Sequence, residues 1–405
     1  MTQETNLLDI DAACLIEEAD VQTTPVVEVI SVESKAEPKK RGRKKRILQS
    51  TGGGENNDSA TSAVDDKEEE EDAEEEQIYI PSGVTLVDLA SSDTTLGFCT
   101  AGHTVNIIGD RNSGKSMMCM ASMAETYHRH GDIFEYDYYD YERAVSFDVP
   151  RLFGKKFNEK VNLCEPDNSA EWCIENLRTK ILNDLLKHRR YIIIDSCDIM
   201  KPLSETERIY KVADGKGTFG TERAKAMTAF FRSICPAVAE SGSFIIIVSQ
   251  ARDNIGFGSM FTPKVRSGGS ALGYNAFVEM WLAPAGQIKS GEFKVGQWTK
   301  AKIERSKVNG KKHSVEFAIL PAYGIDDTRS NINWLIENGA LQCSSGKIDM
   351  SALGEEFAYN GKNPYLFVEE NGLESKLVEY VRKVWDCNEQ ALISKTFGGR
   401  KGRYE

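Results

Sequence analysis

The residues with the clearest chemistry lie in one stretch, Gly109-Asp110-Arg111-Asn112-Ser113-Gly114-Lys115-Ser116, which fits the pattern G-x-x-x-x-G-K-[ST] without a mismatch. In this pattern the two glycines let the backbone wrap closely round a polyphosphate, with its N–H groups pointing inward. Lys115 then reaches the terminal phosphates, and Ser116 can ligate Mg2+. We therefore predict that these eight residues bind ATP with Mg2+.

The residues on either side predict the elements that would hold this loop. An apolar run from Thr104 to Ile108 precedes it and indicates a strand. A Met- and Ala-rich run from Ser116 to His130 follows it and predicts a helix, so the phosphates would also lie at a helix N-terminus.

Three more stretches predict strands that end near polar side chains. They are Ile133 to Tyr139, Tyr191 to Ser196 and Phe244 to Val248. The nearby polar side chains are Glu142, Asp195 and Gln250, respectively. Ligands of parallel sheets bind at the carboxyl edge of the strands, so we expect these side chains to converge there. Asp195 would hold the Mg2+, Glu142 would orient a water on the γ-phosphate, and Gln250 would contact the γ-phosphate.

Helical segments alternate with these strands. Asn168 to Glu171 has the form of a capping box and predicts a helix reaching about Lys187, and another is expected from about Thr221 to Ser241. Continuous apolar strands separated by helices indicate a doubly wound α/β core with a mostly parallel sheet. Phe277 to Leu282, Lys300 to Arg305 and His313 to Leu320 predict an antiparallel extension of that sheet.

The segment after Gln250 has a different character. Ala251 to Gly269 contains Arg252, Lys264 and Arg266 among several glycines, without a helical or strand period, and we interpret it as a loop. A basic loop joined to a γ-phosphate contact is what coupling ATP to DNA affinity would require.

Charge divides the chain into two parts. The whole sequence has a net charge of −12, and residues 1–78 alone hold 21 acidic and nine basic residues, so the remainder is neutral. This composition predicts a disordered tail over 1–78, and the motifs above indicate an ATPase core over 79–342. Sparser core residues predict a small C-terminal region over 343–405, with one helix from Glu374 to Val384. Nine scattered cysteines without a C-x-x-C pair, no apolar run long enough to span a membrane and no leader sequence favour the cytoplasm.

Three tail segments each allow two interpretations. The amphipathic run Asn6 to Asp20 would fold onto a partner or do nothing. The basic run 39–46 would bind DNA, or serve targeting or solvation. The acidic run 65–76 would compete with DNA in cis or act as a linker.

Taken in order, the motifs resemble the RecA family of strand-exchange recombinases. The phosphate loop is followed by Asp140-Tyr141-Glu142, by Ile192-Ile193-Ile194-Asp195-Ser196, by the run V-S-Q-A-R-D-N-I-G at 248–256 and by S-G-G-S-A-L-G-Y at 267–274. The similarity covers about residues 78–342. It is strongest to the bacteriophage UvsX-type branch, because Ile303 to Lys307 and Phe317 to Asp326 also resemble that branch.

The resemblance implies a role for each matching position. Glu142 would be the base, Asp195 the Mg2+ partner and Gln250 the γ-phosphate sensor. Two DNA-binding loops would lie at Lys201 to Gly220 and at Ala251 to Gly269. In the second loop the DNA contacts would come from Arg252, Ile255, Lys264, Arg266, Gly268 and Gly269. Arg305 and Lys307 match two lysines that reach across a subunit boundary to the neighbour's ATP.

Three features depart from the family pattern. Arginine replaces lysine at 305, which keeps the charge and alters its geometry. The phosphate loop carries two unusual charges, Asp110 and Arg111. The family's structured N-terminal oligomerisation element is not evident before residue 78, and Asn6 to Asp20 would be its substitute.

The implied function is an ATP-dependent recombinase that forms helical filaments on single-stranded DNA and pairs it with double-stranded DNA. Its implied partners are DNA, further copies of the chain, and mediator and single-strand-binding proteins. For a viral protein the compartment would be the host cytoplasm. Two alternatives share the fold: a ring-forming helicase or motor, and a DNA-binding accessory protein with an ATP site.

Overall fold

A computed structural model describes residues 77–210, 219–253, 264–266 and 269–398 of the chain. The tail segments singled out above lie outside these residues, as do Ile255 and Gly268. The described residues belong to one compact unit, Gln77–Glu405. None of the helices among them has the length and apolarity needed to cross a lipid bilayer.

The strands of the described residues follow the predicted alternation of buried runs. They are β1 Tyr79–Ile80, β2 Cys99–Thr100, β3 Thr104–Gly109, β4 Glu135–Asp140, β5 Val161–Cys164, β6 Arg190–Asp195, β7 Phe244–Asp253, β8 Lys264–Arg266, β9 Val278–Ser290, β10 Phe293–Ser306, β11 Ser314–Leu320, β12 Gly324–Asp326, β13 Gln342–Ser344, β14 Lys347–Asp349 and β15 Asn360–Gly361.

The helices of the described residues fill most of the connections between strands. They are α1 Thr85–Ser92, α2 Lys115–His130, α3 Val149–Phe153, α4 Lys155–Lys160, α5 Ile174–Leu185, α6 Leu203–Tyr210, α7 Phe219–Ser241, α8 Gly269–Asn275, α9 Asp327–Glu337, α10 Pro364–Glu370 and α11 Glu374–Phe397.

The central sheet has ten strands, nine of them in the order β12-β11-β10-β9-β3-β7-β6-β4-β5, with β8 paired to β7. Strands β9, β3, β7, β6, β4 and β5 are parallel neighbours. Strands β10, β11 and β12 extend the sheet in antiparallel fashion. The prediction that Phe277 to Leu282 belongs to this extension is wrong in direction, because β9 pairs parallel with β3. The structure therefore confirms a mixed α/β fold with a largely parallel sheet, and it brings the carboxyl ends of β3, β7, β6 and β4 to one edge.

Alternating side chains of the central strands divide between two cores. Ile193 and Ile246 pack with Met118 and Met120 of α2 in one buried cluster. On the other face Ile192, Ile194, Ile245 and Ile247 share a second buried cluster with residues of α5 and α7. Successive residues of a strand point to opposite faces, so an uninterrupted apolar run in the sequence signals a strand covered on both sides.

Two helix predictions are wrong in their bounds. The predicted helix from Asn168 is preceded by a separate 3-10 turn at Ala170–Trp172, and α5 begins only at Ile174. Cys173 between them is extended, with φ −68° and ψ 162°, and the N–H of Ile174 donates to the carbonyl of Lys201 rather than to a preceding turn. At the other end of the chain, the helix predicted over Glu374 to Val384 continues to Phe397.

The C-terminal residues share the core that covers one face of the sheet. Phe357, Val368, Leu377, Val381 and Trp385 are buried in the same cluster as Met118. A charged cluster also holds α11 in place. Its centre is Lys311, whose Nζ lies 3.0 Å from Asp93 Oδ1 and 2.7 Å from Glu389 Oε2. His313 Nε2 lies 3.5 Å from Glu389 Oε1.

Candidate nucleotide-binding site

The predicted phosphate loop begins at Gly109, the last residue of β3, and ends at Lys115 and Ser116, the first two residues of α2. Gly114 has φ +89°, and a Cβ placed on it would lie 2.4 Å from Ile319 Cδ1. A Cβ on Gly109 would lie 2.6 Å from the carbonyl oxygen of Leu282. Both positions therefore need glycine, one for its left-handed backbone and both for close contact with the neighbouring strands.

The antiparallel extension of the sheet supports this loop from the side. Gln297 of β10 donates from Nε2 to the carbonyl oxygen of Asn112, at 2.9 Å. Lys115 is almost fully buried, and its Nζ donates to the carbonyl oxygen of Asp110 at 2.7 Å. The contact of Gln297 with the phosphate loop could not be predicted from the sequence, because it depends on the pairing of strands that lie far apart in the chain.

Ser116 and Asp195 meet at the carboxyl ends of β3 and β6. Ser116 Oγ donates to Asp195 Oδ2 at 2.6 Å, and Tyr138 on β4 donates its hydroxyl to the same oxygen at 2.7 Å. Burial raises the pKa of the Asp195 carboxyl, and the hydrogen bonds from Ser116 and Tyr138 act in the opposite direction. Tyr138 was not among the predicted site residues, although it lies on a strand that ends at the same edge.

Buried oxygen atoms near this edge that have no hydrogen-bond partner within the described chain include Asp195 Oδ1, Ser113 Oγ and Asp198 Oδ1. Buried polar atoms are normally paired, so an unpaired oxygen on a carboxylate that also contacts the Ser116 hydroxyl suits a hard cation or its water. The donor set thus fits Mg2+, with Ser116 and Asp195 as the residues that would hold it.

Glu142 and Gln250 are brought together although 108 residues separate them. Gln250 donates from Nε2 to Glu142 Oε1 at 2.8 Å, and Ser196 Oγ donates to the same oxygen. The N–H of Glu142 donates to the carbonyl of Asp195 at 3.2 Å, which ties the turn after β4 to the end of β6. In register, Gln250 lies opposite Gly109. The predicted base and γ-phosphate contact are therefore neighbours of the phosphate loop.

Strand β7 continues beyond Gln250, and its next residues are anchored to the same region. The N–H of Gln250 donates to Asp198 Oδ2 at 2.7 Å. The other oxygen of Asp198 lies 3.6 Å from the guanidinium of Arg252, whose side chain is largely exposed. Asp198 is a further residue that the sequence analysis missed.

The interpretation of 251–269 as a loop is wrong for its described ends. Residues 251–253 continue β7 and pair with β8 in an antiparallel hairpin, in which Asp253 faces Lys264 and Ala251 faces Arg266. Gly269 is the first residue of α8. A period of two cannot be recognised in three residues, so this strand left no signal in the sequence.

Acidic side chains of the core bind the two basic residues of β8. Lys264 Nζ donates to Asp110 Oδ2 of the phosphate loop. The guanidinium of Arg266 donates to Glu279 on β9, and Trp281 Nε1 donates to the same carboxylate at 3.1 Å. Of the predicted DNA contacts in the described residues, Arg252 is the one with a largely exposed side chain and only a long ion pair.

Arg305 lies near the carboxyl end of β10, and Lys307 follows directly after that strand. Arg305 pairs with Glu279 in register, and Glu279 faces Asn106 of β3, three residues before Gly109. The Arg305 guanidinium donates to the carbonyl oxygens of Gly273 and Ala276 at the end of α8, the latter at 2.7 Å. Lys307 is exposed, with its Nζ 5.9 Å from the centre of the Phe277 ring.

Comparison with known proteins gives one family. The model of the RecA N-terminal domain matches residues 63–326. A protein named RecA from Syntrophus aciditrophicus is 26% identical over 294 residues, which cover 72% of this chain and 80% of that relative. RecA from Mycobacterium sp. strain KMS is 28% identical over 307 residues, or 74% and 82% of the two chains. RecA 2 from Myxococcus xanthus is 27% identical over 285 residues, or 70% and 72%. The family model covers more than half of the residues of this chain, and the chain therefore belongs to the RecA family.

Proposed function

We propose that this protein is an ATP-dependent recombinase of the UvsX-type branch, which assembles on single-stranded DNA and pairs it with homologous double-stranded DNA. The observation that carries the proposal is the convergence of Glu142 and Gln250 beside the Ser116–Asp195 contact, at one edge of the sheet. Members of the RecA family are DNA-dependent ATPases, and this edge contains the groups that such chemistry needs.

ATP hydrolysis would use these groups in distinct roles. The phosphate loop and Lys115 would bind the polyphosphate, and Ser116 and Asp195 would hold Mg2+, which when bound would supply positive charge against the phosphates. Glu142 accepts a hydrogen bond from the attacking water and orients it. The Gln250 amide donates to Glu142 in the described structure, so a γ-phosphate would compete with the Glu142 carboxylate for that amide.

A change in the position of Gln250 would displace the residues that follow it on β7. Gln250, Ala251 and Arg252 are consecutive residues of one strand, and the backbone of Gln250 and the side chain of Arg252 both contact Asp198. Loss or gain of the γ-phosphate contact would therefore alter the position of Arg252. This is the differential contact that coupling between ATP and DNA affinity requires.

Assembly into a filament would place Arg305 and Lys307 beside the ATP of a neighbouring copy. Arg305 contacts the carbonyls of Gly273 and Ala276, and Lys307 is exposed, so neither cation is placed on the phosphate loop of its own chain in the described structure. This placement supports action on another subunit. Nucleotide binding and assembly would then stabilise each other. Mediator and single-strand-binding proteins would be further partners, and the cytoplasm, of a host for a viral protein, would be the compartment.

The test measures ATP hydrolysis with and without single-stranded DNA, together with DNA affinity by fluorescence anisotropy. We expect DNA to stimulate hydrolysis, and a non-hydrolysable ATP analogue to tighten DNA binding. Lys115→Ala should abolish both effects because the phosphates lose their principal cation. A wild-type protein that binds DNA equally well with and without nucleotide would contradict the proposal and favour a DNA-binding accessory role.

A further inference from the structure

Asp110, the second residue of the phosphate loop, is contacted by two lysines. One is Lys115 of the same loop, and the other is Lys264, which lies 154 residues further along the chain. Lys115 Nζ donates to the backbone carbonyl of Asp110 at 2.7 Å, and Lys264 Nζ donates to the side-chain carboxylate of Asp110. The Lys264 and Asp110 side chains are 43% and 36% exposed, so solvent screens the pair in part. The acidic residue that is unusual for such a loop thus has its own counter-ion.

An unpaired carboxylate at this position would oppose nucleotide binding. The Asp110 backbone belongs to the turn that would wrap the polyphosphate, so a bound triphosphate would bring several negative charges close to its carboxylate. Like charges at such distances repel appreciably at a partly solvated surface. A fixed ammonium group on the carboxylate removes most of this repulsion.

The strand that contains Lys264 holds this counter-ion beside the phosphate loop. Lys264 faces Asp253 in the β7–β8 hairpin, and β7 also contains Gln250. Arg266, the second basic residue of β8, lies two residues after Lys264 and forms an ion pair with Glu279. The hairpin therefore contacts the ATPase core at two ion pairs, one of them on the phosphate loop itself.

We propose that Lys264 is a positioning residue of the nucleotide site, which neutralises Asp110 and so allows this loop to bind a triphosphate. The inference rests on the proposed ATP-binding function and revises the role expected for Lys264 as a DNA contact. Because Lys264 belongs to the segment that follows Gln250, the same ion pair links the phosphate loop to the second DNA-binding segment.

The test is a double-mutant cycle read by binding of a fluorescent, non-hydrolysable ATP analogue with Mg2+, without DNA. Lys264→Gln should weaken binding about fivefold, the scale of an exposed ion pair, and the loss should shrink at high salt. Asp110→Asn should bind at least as tightly as wild type. Asp110→Asn combined with Lys264→Gln should return to within about twofold of wild type, because no carboxylate is left to neutralise. Lys264→Arg should preserve affinity.

A matched control is Lys376→Gln on α11, which removes a lysine of comparable exposure from its ion pair with Glu356. This variant should leave nucleotide affinity unchanged. Thermal unfolding of each variant checks that the fold is intact.

Three results would show which part of the reasoning is wrong: the role of Lys264, its partner or the proposed function. Unchanged nucleotide affinity in Lys264→Gln, together with weaker DNA binding and a salt dependence reduced by about one charge, would make Lys264 a DNA contact and overturn the inference. An equal loss in the single and double variants would show that Asp110 is not the group that Lys264 serves. A wild-type protein without any affinity for the analogue would instead refute the proposed function.

Discussion

Replacing Tyr138 with phenylalanine would remove one hydroxyl from the candidate Mg2+ site and leave the rest of the side chain in place. The Tyr138 hydroxyl donates to Asp195 Oδ2 at 2.7 Å, and both side chains are buried. Without this hydrogen bond, Ser116 is the remaining donor described for that oxygen. The Asp195 carboxylate would then be both costlier to ionise and freer to rotate.

The size of the effect follows from the charge of the acceptor. A hydrogen bond to a charged group contributes roughly 1.5–3 kcal/mol, and loss of an outer partner of a metal ligand typically lowers metal affinity about 10- to 100-fold. We therefore expect the Mg2+ concentration at half-maximal ATP hydrolysis to rise at least about tenfold in Tyr138→Phe.

Tyr191→Phe provides a matched control from the neighbouring strand β6. The Tyr191 hydroxyl is also buried and lies 2.7 Å from the hydroxyl of Ser122, away from Asp195. Its loss should lower the free energy of unfolding by about 1 kcal/mol and leave the Mg2+ dependence unchanged. The assays are Mg2+ titrations of ATP hydrolysis and urea unfolding. If Tyr138→Phe lost stability like the control but kept the wild-type Mg2+ midpoint, our assignment of Asp195 to Mg2+ would be refuted.

Three further predictions concern the base, the C-terminal helix and a buried acid. Glu142→Gln should retain ATP binding and lose roughly 100- to 10,000-fold in hydrolysis, measured in single-turnover assays, and near-normal turnover would assign the base elsewhere. Lys311→Met leaves the carboxylates of Asp93 and Glu389 without their shared ammonium, so hydrogen exchange along α11 should accelerate, and unchanged exchange would show that apolar packing alone holds the helix. Burial raises the pKa of Asp88 well above its usual value, so its ionisation lowers stability as pH rises through the folded-state pKa. Asp88→Asn should therefore raise the melting temperature more at pH 8 than at pH 5, and an equal shift at both would contradict this.

The sequence was sufficient to predict the elements that position the candidate site where those elements are continuous in the chain. The phosphate loop, β3 and α2 are continuous in the chain, and Asp195 follows an apolar run that only a strand covered on both faces explains. The convergence of these strand ends could be expected because parallel strands share a carboxyl edge.

What the sequence could not indicate were contacts that depend on strand order and register. Gln297 reaches Asn112 only because β10 pairs with β9 and β9 with β3. The capping pattern at Asn168 was misleading because the N–H of Ile174, where α5 begins, donates to the carbonyl of Lys201 in the segment after β6, which a local signal cannot include.

Charge was the least informative signal in the basic segment after Gln250. Lys264 and Arg266 were expected to contact DNA, and in the described structure each contacts an acidic side chain of the core, one 154 and the other 13 residues away. A count of basic residues cannot distinguish a cation that faces solvent from one that neutralises a distant carboxylate.

The central claim, that ATP binding and assembly on DNA are a single event, is tested most directly by negative-stain imaging. Wild-type protein would be imaged with single-stranded DNA, with and without a slowly hydrolysed ATP analogue. We predict long helical filaments that form only with the analogue, and their loss when Arg305 and Lys307 are both replaced by alanine. Discrete closed rings would contradict the claim and favour a ring-forming motor, and no assembly with the analogue would favour the accessory role.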